Sequence, residues 1–405
     1  MAIDAPAIRE ALAGRPRPAA EGGLPGVACS QEPLLEGTPV ETTGLRLEPG
    51  VPPLGVFYVY MTEGCNLACQ HCWVTPALMG NHTTGGHVTA ERLLRACRDA
   101  RAVGLGAVKL TGGEPLLHPE FGPLVYAMRA LGIKVWMESN LTLLTPEKAV
   151  AIRDTMTFFS TSLDAATEAE HDAFRGIPGS FRATCEAIPL LAEDVRVQVI
   201  MSVHRDNAGG IEELIALARR LGARSVKFNL VRDMGRADRM RRTGRTLDVR
   251  ELIRLGRLVE EEWGPAHGIE TAWSWPPAFQ PIRKLLRPSL GTCGIHGILG
   301  VLASGHYALC GIGRAEEELV YGTLEDDVVE LWNRHPTLRR LREELPEQLE
   351  GICGRCLFKR SCKAHCVASN YHSGRSLKKA HWFCEDAHRE GLFPVSRLVP
   401  EGSRA

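Results

Sequence analysis

A chain of 405 residues with 48 Lys and Arg against 48 Asp and Glu has no net charge, so no global field draws it to nucleic acid or an anionic membrane. At 44% hydrophobic and 24% charged it has the composition of a globular protein with a sizeable core. It contains no apolar run of bilayer-spanning length and no basic-then-apolar export signal, and its thirteen cysteines therefore point to metal or redox chemistry in a reducing cytoplasm rather than to disulfides.

Residues 1–44, rich in Ala, Gly, Pro and Glu, read as a flexible lead-in in which AIREALAG offers one short helix. From Gly55 onward strand and helix alternate. Strands are predicted at 55–61, 107–110, 133–137, 157–162, 196–203 and 225–230. Helices are predicted at 89–103 with Thr89 as N-cap, and at 119–131, 146–154, 181–193 and 211–221. Such alternation means right-handed crossovers and a parallel sheet. Six units fit an α/β fold of the partial (β/α)6 barrel kind over 45–264, with its chemistry at the C-terminal ends of the strands. A long helix at 247–263 closes that barrel. Residues 265–292, with Trp273, Trp275, Pro276, Pro277 and Pro281, break the pattern and read as a bridge. Residues 293–405 form a cysteine-rich region. There 298–302 and 306–309 read as a hairpin, 331–344 as a helix, and the remainder as loops pinned by metal in place of a hydrophobic core.

The chemistry-bearing stretch is MTEGCNLACQHCW, residues 61–73, where Cys65, Cys69 and Cys72 form a CxxxCxxC array directly after the first strand. Three thiolates this close can hold three irons of a cubane cluster and leave the fourth open, as catalytic zinc sites keep one open position. A zinc knuckle is the bland alternative, although zinc sites mostly pair cysteines as CxxC. TGGEP, residues 111–115, follows the second strand. Its paired glycines allow close backbone approach, and Glu114 offers a carboxylate to a positively charged amino group; alone, the motif is a tight turn. Ser139 and Asn140 follow the third strand and are able to bond ribose hydroxyls. Ser162 and Asp164 end the fourth strand, Asp164 serving as a polar cavity group or as an N-cap. Arg175, in FRG, reads by itself as an exposed ion pair. The tail carries Cys293, Gly305-x4-Cys310, Cys353-x2-Cys356-x5-Cys362-x3-Cys366 and Cys384, for which zinc ribbons are the alternative. Cys29, Cys97 and Cys185 read as ordinary thiols.

The CxxxCxxC array, with the aromatic His71 before its last cysteine, and TGGEP together resemble the radical S-adenosylmethionine (SAM) enzymes over residues 55–393. The seven tail cysteines resemble the SPASM extension of those enzymes. That resemblance implies an open six-unit barrel followed by a small, loop-rich iron–sulfur domain with three 4Fe–4S clusters in all. Cys65, Cys69 and Cys72 would hold the SAM-binding cluster. Gly112, Gly113 and Glu114 would hold the SAM methionine, with Ser139, Asn140, Ser162 and Arg175 as further SAM contacts. Cys353, Cys356, Cys362 and Cys384 would ligate an outer auxiliary cluster, and Cys293, Cys310 and Cys366 an inner one. Residues 282–292 contain no cysteine to complete the inner set, which leaves either a non-cysteine ligand or an open iron. Departures from the family pattern are Leu141 and Ala165, where relatives often have glycine.

The implied activity is reductive cleavage of SAM to a 5′-deoxyadenosyl radical that abstracts hydrogen from a peptide or protein, giving an oxidative modification such as a cross-link. The same chemistry on a tetrapyrrole or alcohol-type small molecule is one alternative. A non-catalytic iron–sulfur or zinc scaffold is another. Expected partners are the peptide or protein substrate, a flavodoxin- or ferredoxin-like reductant and, because the lead-in is short, a separate leader-binding protein.

Overall fold

Runs of β-branched and aromatic residues form strands here, and the amphipathic runs between them fold into helices that cover one face of the resulting sheet. The computed structural model describes residues 2–13, 44–231, 234–285, 293–311 and 315–400. Its core strands are β1 (Val56–Tyr60), β2 (Ala107–Thr111), β3 (Lys134–Ser139), β4 (Phe158–Ser162), β5 (Arg196–Val203) and β6 (Ser225–Leu230). They lie side by side in chain order and all pair in parallel. This is the expected parallel α/β core. The crossovers run through α2 (Ala90–Ala100), α3 (Phe121–Ala130), α4 (Pro146–Thr155), α5 (Glu168–Arg175), α6 (Ser180–Ala192) and α7 (Ile211–Arg220). Thr89, Thr145 and Thr167 cap α2, α4 and α5 by accepting from backbone N–H groups, each cap stabilising its helix by about 1 kcal/mol.

Several expectations change. Residues 5–12 of the lead-in form α1 (Ala5–Leu12), which packs on the barrel with Ile8 fully buried, while Arg153 Nη1 donates to Leu12 O at 3.0 Å. Residues 14–43 lie outside the described residues. The bridge contains a strand, β7 (Glu270–Trp273), which extends the parallel sheet beyond β6. Its short ETAW run is hidden in the sequence by the prolines that follow, but Trp273 packs its ring 5.6 Å from that of Phe228. The predicted 247–263 helix begins as α8 (Val249–Arg257), behind a capping box made by Asp248 and Glu251. It then widens into a π turn at Leu258–Trp263 and ends four residues late, at His267. There Val259 O accepts from Gly264 N, five residues on, and also from Thr271 Oγ1 at 3.1 Å. The predicted 331–344 helix is two helices, α9 (Val328–Arg334) and α10 (Pro336–Glu344), broken at the residue before a proline.

The expected hairpin is present as β8 (Ile298–Val301) and β9 (His306–Ala308), joined by β10 (Val320–Thr323). It does not form a sheet of its own. β8 pairs in parallel with β1, so one ten-stranded sheet runs β10-β9-β8-β1-β2-β3-β4-β5-β6-β7 across the expected boundary at residue 293.

Inward-facing residues at the N-terminal end of the barrel are apolar. Val56, Ala107, Trp136 and Phe158 form a buried cluster of their own, capped by Tyr58. Toward the C-terminal ends the inward positions turn polar, so the barrel is plugged below and open above. Among the described residues no helix is long and apolar enough to cross a membrane.

Gly300 on β8 tests the junction between barrel and tail. A Cβ there would stand 2.5 Å from Cys310 O, whereas one on Gly106 would meet nothing within 4 Å. Gly300→Ala should therefore lower stability by about 1–3 kcal/mol, as overpacking does. Gly106→Ala should not, with both read as urea unfolding midpoints.

Candidate active site

The cysteine loop leaves the end of β1 and is gripped by backbone from three directions. TGGEP lies along its first arm: Gly113 N donates to Thr62 O at 3.2 Å and Glu114 N to Gly64 O at 2.9 Å. A Cβ on Gly113 would stand 1.8 Å from Gly64 O. One on Gly112, whose φ is +114°, would stand 2.7 Å from Tyr60 Cα. The glycines are thus required by the loop backbone, where the sequence reading had a ligand approaching them. The FRG segment holds the middle of the loop, Ala68 N donating to Arg175 O and Gln70 N to Phe174 O, both at 3.0 Å. The third grip is Arg236 N, which donates to Cys72 O at 3.1 Å.

These grips bring Cys65, Cys69 and Cys72 into mutual influence. Burial, then the charges of Cys69 and Glu114, pushes the Cys65 thiol well above its usual range. Burial and then Cys69 push Cys72 up to about 11. Thiols so placed give up their protons only to a cation that replaces them, and the donor set suits a soft, thiolate-ligated iron centre. Among the described residues no three His, Cys, Asp or Glu side chains meet closely enough to hold a single metal ion.

Glu114 is buried behind the loop. Its Oε1 accepts from Ser139 Oγ at 2.6 Å and Leu116 N at 3.1 Å, and its Oε2 accepts from Asn140 N at 3.0 Å. Burial still raises its pKa above the ordinary value despite these donors. A cation brought close would favour the ionised form of such a carboxyl. Ser139 and Asn140 take up positions that a ribose contact does not describe. Ser139 faces Glu114, and Asn140 Nδ2 donates to Asn66 Oδ1 at 3.0 Å, tying the third strand to the cysteine loop.

Arg175 also departs from expectation, being buried instead of exposed at the surface. Its Nε donates to Asp164 Oδ2 at 2.5 Å and its Nη1 to Cys69 Sγ at 3.4 Å. Ser202 N donates to Asp164 Oδ1 at 2.7 Å. Burial opposes ionisation of Asp164, but Arg175 beside it, with His71 and His171, holds the carboxyl below its usual range. His71, stacked on Phe174 with ring centroids 4.6 Å apart, has a buried Nδ1 without a hydrogen-bond partner, and burial lowers its pKa to about 3.

Above the apolar plug lies a cavity of about 370 Å³. His71, Ser162 and Arg175 line it, and so do Cys293, Cys310 and Cys366. Gly112, Gly113, Glu114, Ser139 and Asn140 are not among its lining residues. Cys353, Cys356, Cys362 and Cys384 line a separate, smaller void. There His381 N donates to Cys353 Sγ and Phe358 N to Cys356 Sγ, each at 3.4 Å. Between Cys362 and Cys366 the backbone turns through three successive left-handed residues, Lys363, Ala364 and His365, with φ of 49°, 57° and 61°. Each costs about 1–2 kcal/mol without glycine. The turn sends one cysteine to each void.

With this geometry in view, comparison with known proteins is decisive. Residues 59–218 match the Radical SAM superfamily model. This chain therefore carries a radical SAM domain. It is 26% identical over 332 residues to an AdoMet-dependent heme synthase of Methanosarcina barkeri, covering 77% of this chain and 90% of that one. It is 27% identical over 379 residues to the mycofactocin maturase MftC of Mycobacterium tuberculosis, covering 84% and 85%. Its fold matches Streptococcus suis SuiB bound to the precursor peptide SuiA, with a TM-score of 0.65 and 16% identity over 83% of this chain and 76% of that one.

Cys65, Cys69 and Cys72 are not among the cavity's lining residues, and much of that lining was not legible in the sequence. Lys109, Glu138 and Lys227 reach into the cavity, with Lys109 Nζ 2.8 Å from Glu138 Oε1. Burial would raise the Glu138 pKa, but Lys109 and Lys227 hold it low. The available signal was a charged residue at an inward position of each of three otherwise strand-like runs, such as Lys109 opposite Tyr58.

The Arg175–Asp164 pair yields a stability test. Arg175→Met leaves a buried carboxylate uncompensated and should cost about 3–5 kcal/mol, whereas Arg175→Met with Asp164→Leu should recover most of that. Because the folded Asp164 pKa is depressed, the stability it contributes is full above the ordinary carboxylate range and is lost as pH falls through the depressed value. The double variant should accordingly show a shallower acid limb in urea midpoints measured against pH.

Proposed function

We propose that this radical SAM enzyme oxidatively modifies a peptide or protein at a carbon held in the chamber above the barrel plug. The observation that carries the reading is that His71, Ser162 and Arg175 share that chamber with Cys293, Cys310 and Cys366. Cys65, Cys69 and Cys72 would hold the SAM-binding 4Fe–4S cluster, and this cluster with SAM, when bound, supplies a 5′-deoxyadenosyl radical. Glu114, whose carboxylate accepts from Ser139 Oγ and Asn140 N, would meet the SAM ammonium group, and Gly112 and Gly113 would set its approach. Ser162 and Arg175 would complete the SAM contacts. Cys293, Cys310 and Cys366 would ligate an inner auxiliary cluster, giving the surplus electron of an oxidised substrate a place to go. Cys353, Cys356, Cys362 and Cys384 would ligate the outer one, in the manner of a SPASM extension. Lys109, Glu138 and Lys227 would orient a polar part of the substrate. A flavodoxin- or ferredoxin-like protein would supply electrons, and a separate leader-binding protein would present the peptide, in a reducing cytoplasm.

The maturase relative and the peptide-bound SuiB structure support a peptide substrate. The heme synthase relative favours a second reading, in which the same residues act on a tetrapyrrole.

Replacing Cys65, Cys69 and Cys72 together with Ala should abolish 5′-deoxyadenosine formation under anaerobic reducing conditions while leaving iron bound at the tail. Persistence of the nucleoside in that variant would refute the assignment. In the wild-type enzyme, a precursor peptide that accelerates nucleoside formation would support the first reading. Acceleration by an iron tetrapyrrole alone would support the second.

A further inference from the structure

We infer that the arginine-rich segment 234–245 is the docking surface for the enzyme's electron donor, a small acidic one-electron carrier. The inference rests on reading Cys65, Cys69 and Cys72 as cluster ligands. The whole chain is charge-balanced, yet residues 234–245 hold five arginines against one aspartate. The short helix Ala237–Arg242 buries Ala237 and Met240 and exposes Arg239, Arg241 and Arg242. Its positive charge is therefore sorted onto the outer face, while Met234 at its base lines the chamber. Asp238 serves both Arg241 and Arg242, at 3.5 Å and 3.0 Å, and Asp206 serves Arg245 at 2.5 Å, so within 234–245 arginines outnumber the acidic side chains recorded against them. Exposed pairs of this kind are weak and yield readily to an incoming carboxylate.

The position of the patch identifies its partner. The segment is fastened to the cysteine loop at both ends. Arg236 N donates to Cys72 O, Arg236 Nη1 lies 3.3 Å from Met79 Sδ, and Arg245 Nη1 donates to Gln70 Oε1 at 2.5 Å. Gly235 packs so closely that a Cβ there would stand 2.7 Å from Trp73 O. The exposed arginines are of a residue type that anchors interfaces. A carrier seated here rests on the backbone that bears a cluster ligand. One electron leaves the carrier and one enters the cluster, with no bond made or broken. Charge complementarity of this kind raises encounter rates and makes them salt-dependent.

The test uses the full-length enzyme with its clusters reconstituted, mixed anaerobically with reduced flavodoxin in stopped flow. Arg239→Glu with Arg242→Glu should slow cluster reduction by about tenfold or more, the scale of electrostatic steering. The wild-type rate should fall with added KCl, a measurement that requires no variant. Reduction by dithionite, and SAM cleavage driven by it, should be unchanged in the double variant. Flavodoxin reducing the variant at the wild-type rate, or a wild-type rate indifferent to salt, would overturn the docking surface; either result would hand the patch to an acidic peptide or a nucleic acid. Failure of dithionite to reduce the wild-type front cluster would instead sink the cluster reading itself.

Discussion

The close contact of two backbones, Gly112–Gly113 against Tyr60–Gly64, is the constraint on which the site depends. Any side chain at Gly113 would overlap Gly64 O, and Gly64 is itself hemmed in by Thr83 O, 1.9 Å from where its own Cβ would stand. The loop that carries the cysteines has almost no regular structure of its own. Its shape comes from hydrogen bonds to segments at the ends of three different strands and helices. A loop held this way keeps three side chains at fixed separations without a core beneath it, which is what multidentate metal binding requires. The second sequence motif thus acts first as a brace for the first motif, and Glu114 is presented from that brace.

This arrangement explains what the sequence disclosed and what it hid. The strands of the barrel were legible because each is a short apolar run flanked by helix caps, and Thr89 and Thr145 marked two helix starts directly. The cysteine spacings and TGGEP were legible because they are contiguous in the chain. The burial of Arg175 was not legible because its partners are remote: Asp164 lies on another element and Cys69 is 106 positions away. The bond from Ser139 to Glu114 was hidden because the two lie 25 positions apart. β7 was missed because four residues before a proline-rich run carry too little periodicity to register.

The barrel interior divides two physical tasks along its length. Below, Val56, Ala107, Trp136 and Phe158 exclude water and stabilise the sheet in the usual way. Above, hydroxyl, amide and charged groups replace them at the same alternating positions. Burial of Lys109 is offset by the part-exposed Glu138 beside it, whose ionised form Lys109 and Lys227 both favour. Such an interior is poorly suited to stability alone and well suited to orienting a polar substrate, which is the usual sense of a buried charged group in a cavity.

The position of the tail relative to the cysteine loop follows from the sheet. Had residues 293–405 been joined by a linker alone, Cys310 could sit anywhere within its reach. Instead β8 is in hydrogen-bonded register with β1, from Val56 opposite Ile298 to Val59 opposite Val301. Cys310, itself at a left-handed φ of +55°, folds back over Gly300, and Gly311 fits against the ring of Tyr60, which a Cβ would enter at 2.2 Å. Tyr60 in turn meets the ring of Trp73, the residue after Cys72, edge-on with centroids 6.1 Å apart. Two cysteine groups more than two hundred residues apart in the chain are thereby set by strand pairing and by two aromatic rings in contact. Any change that slipped β8 by one residue would turn its side chains to the opposite face and carry Cys310 away from the chamber.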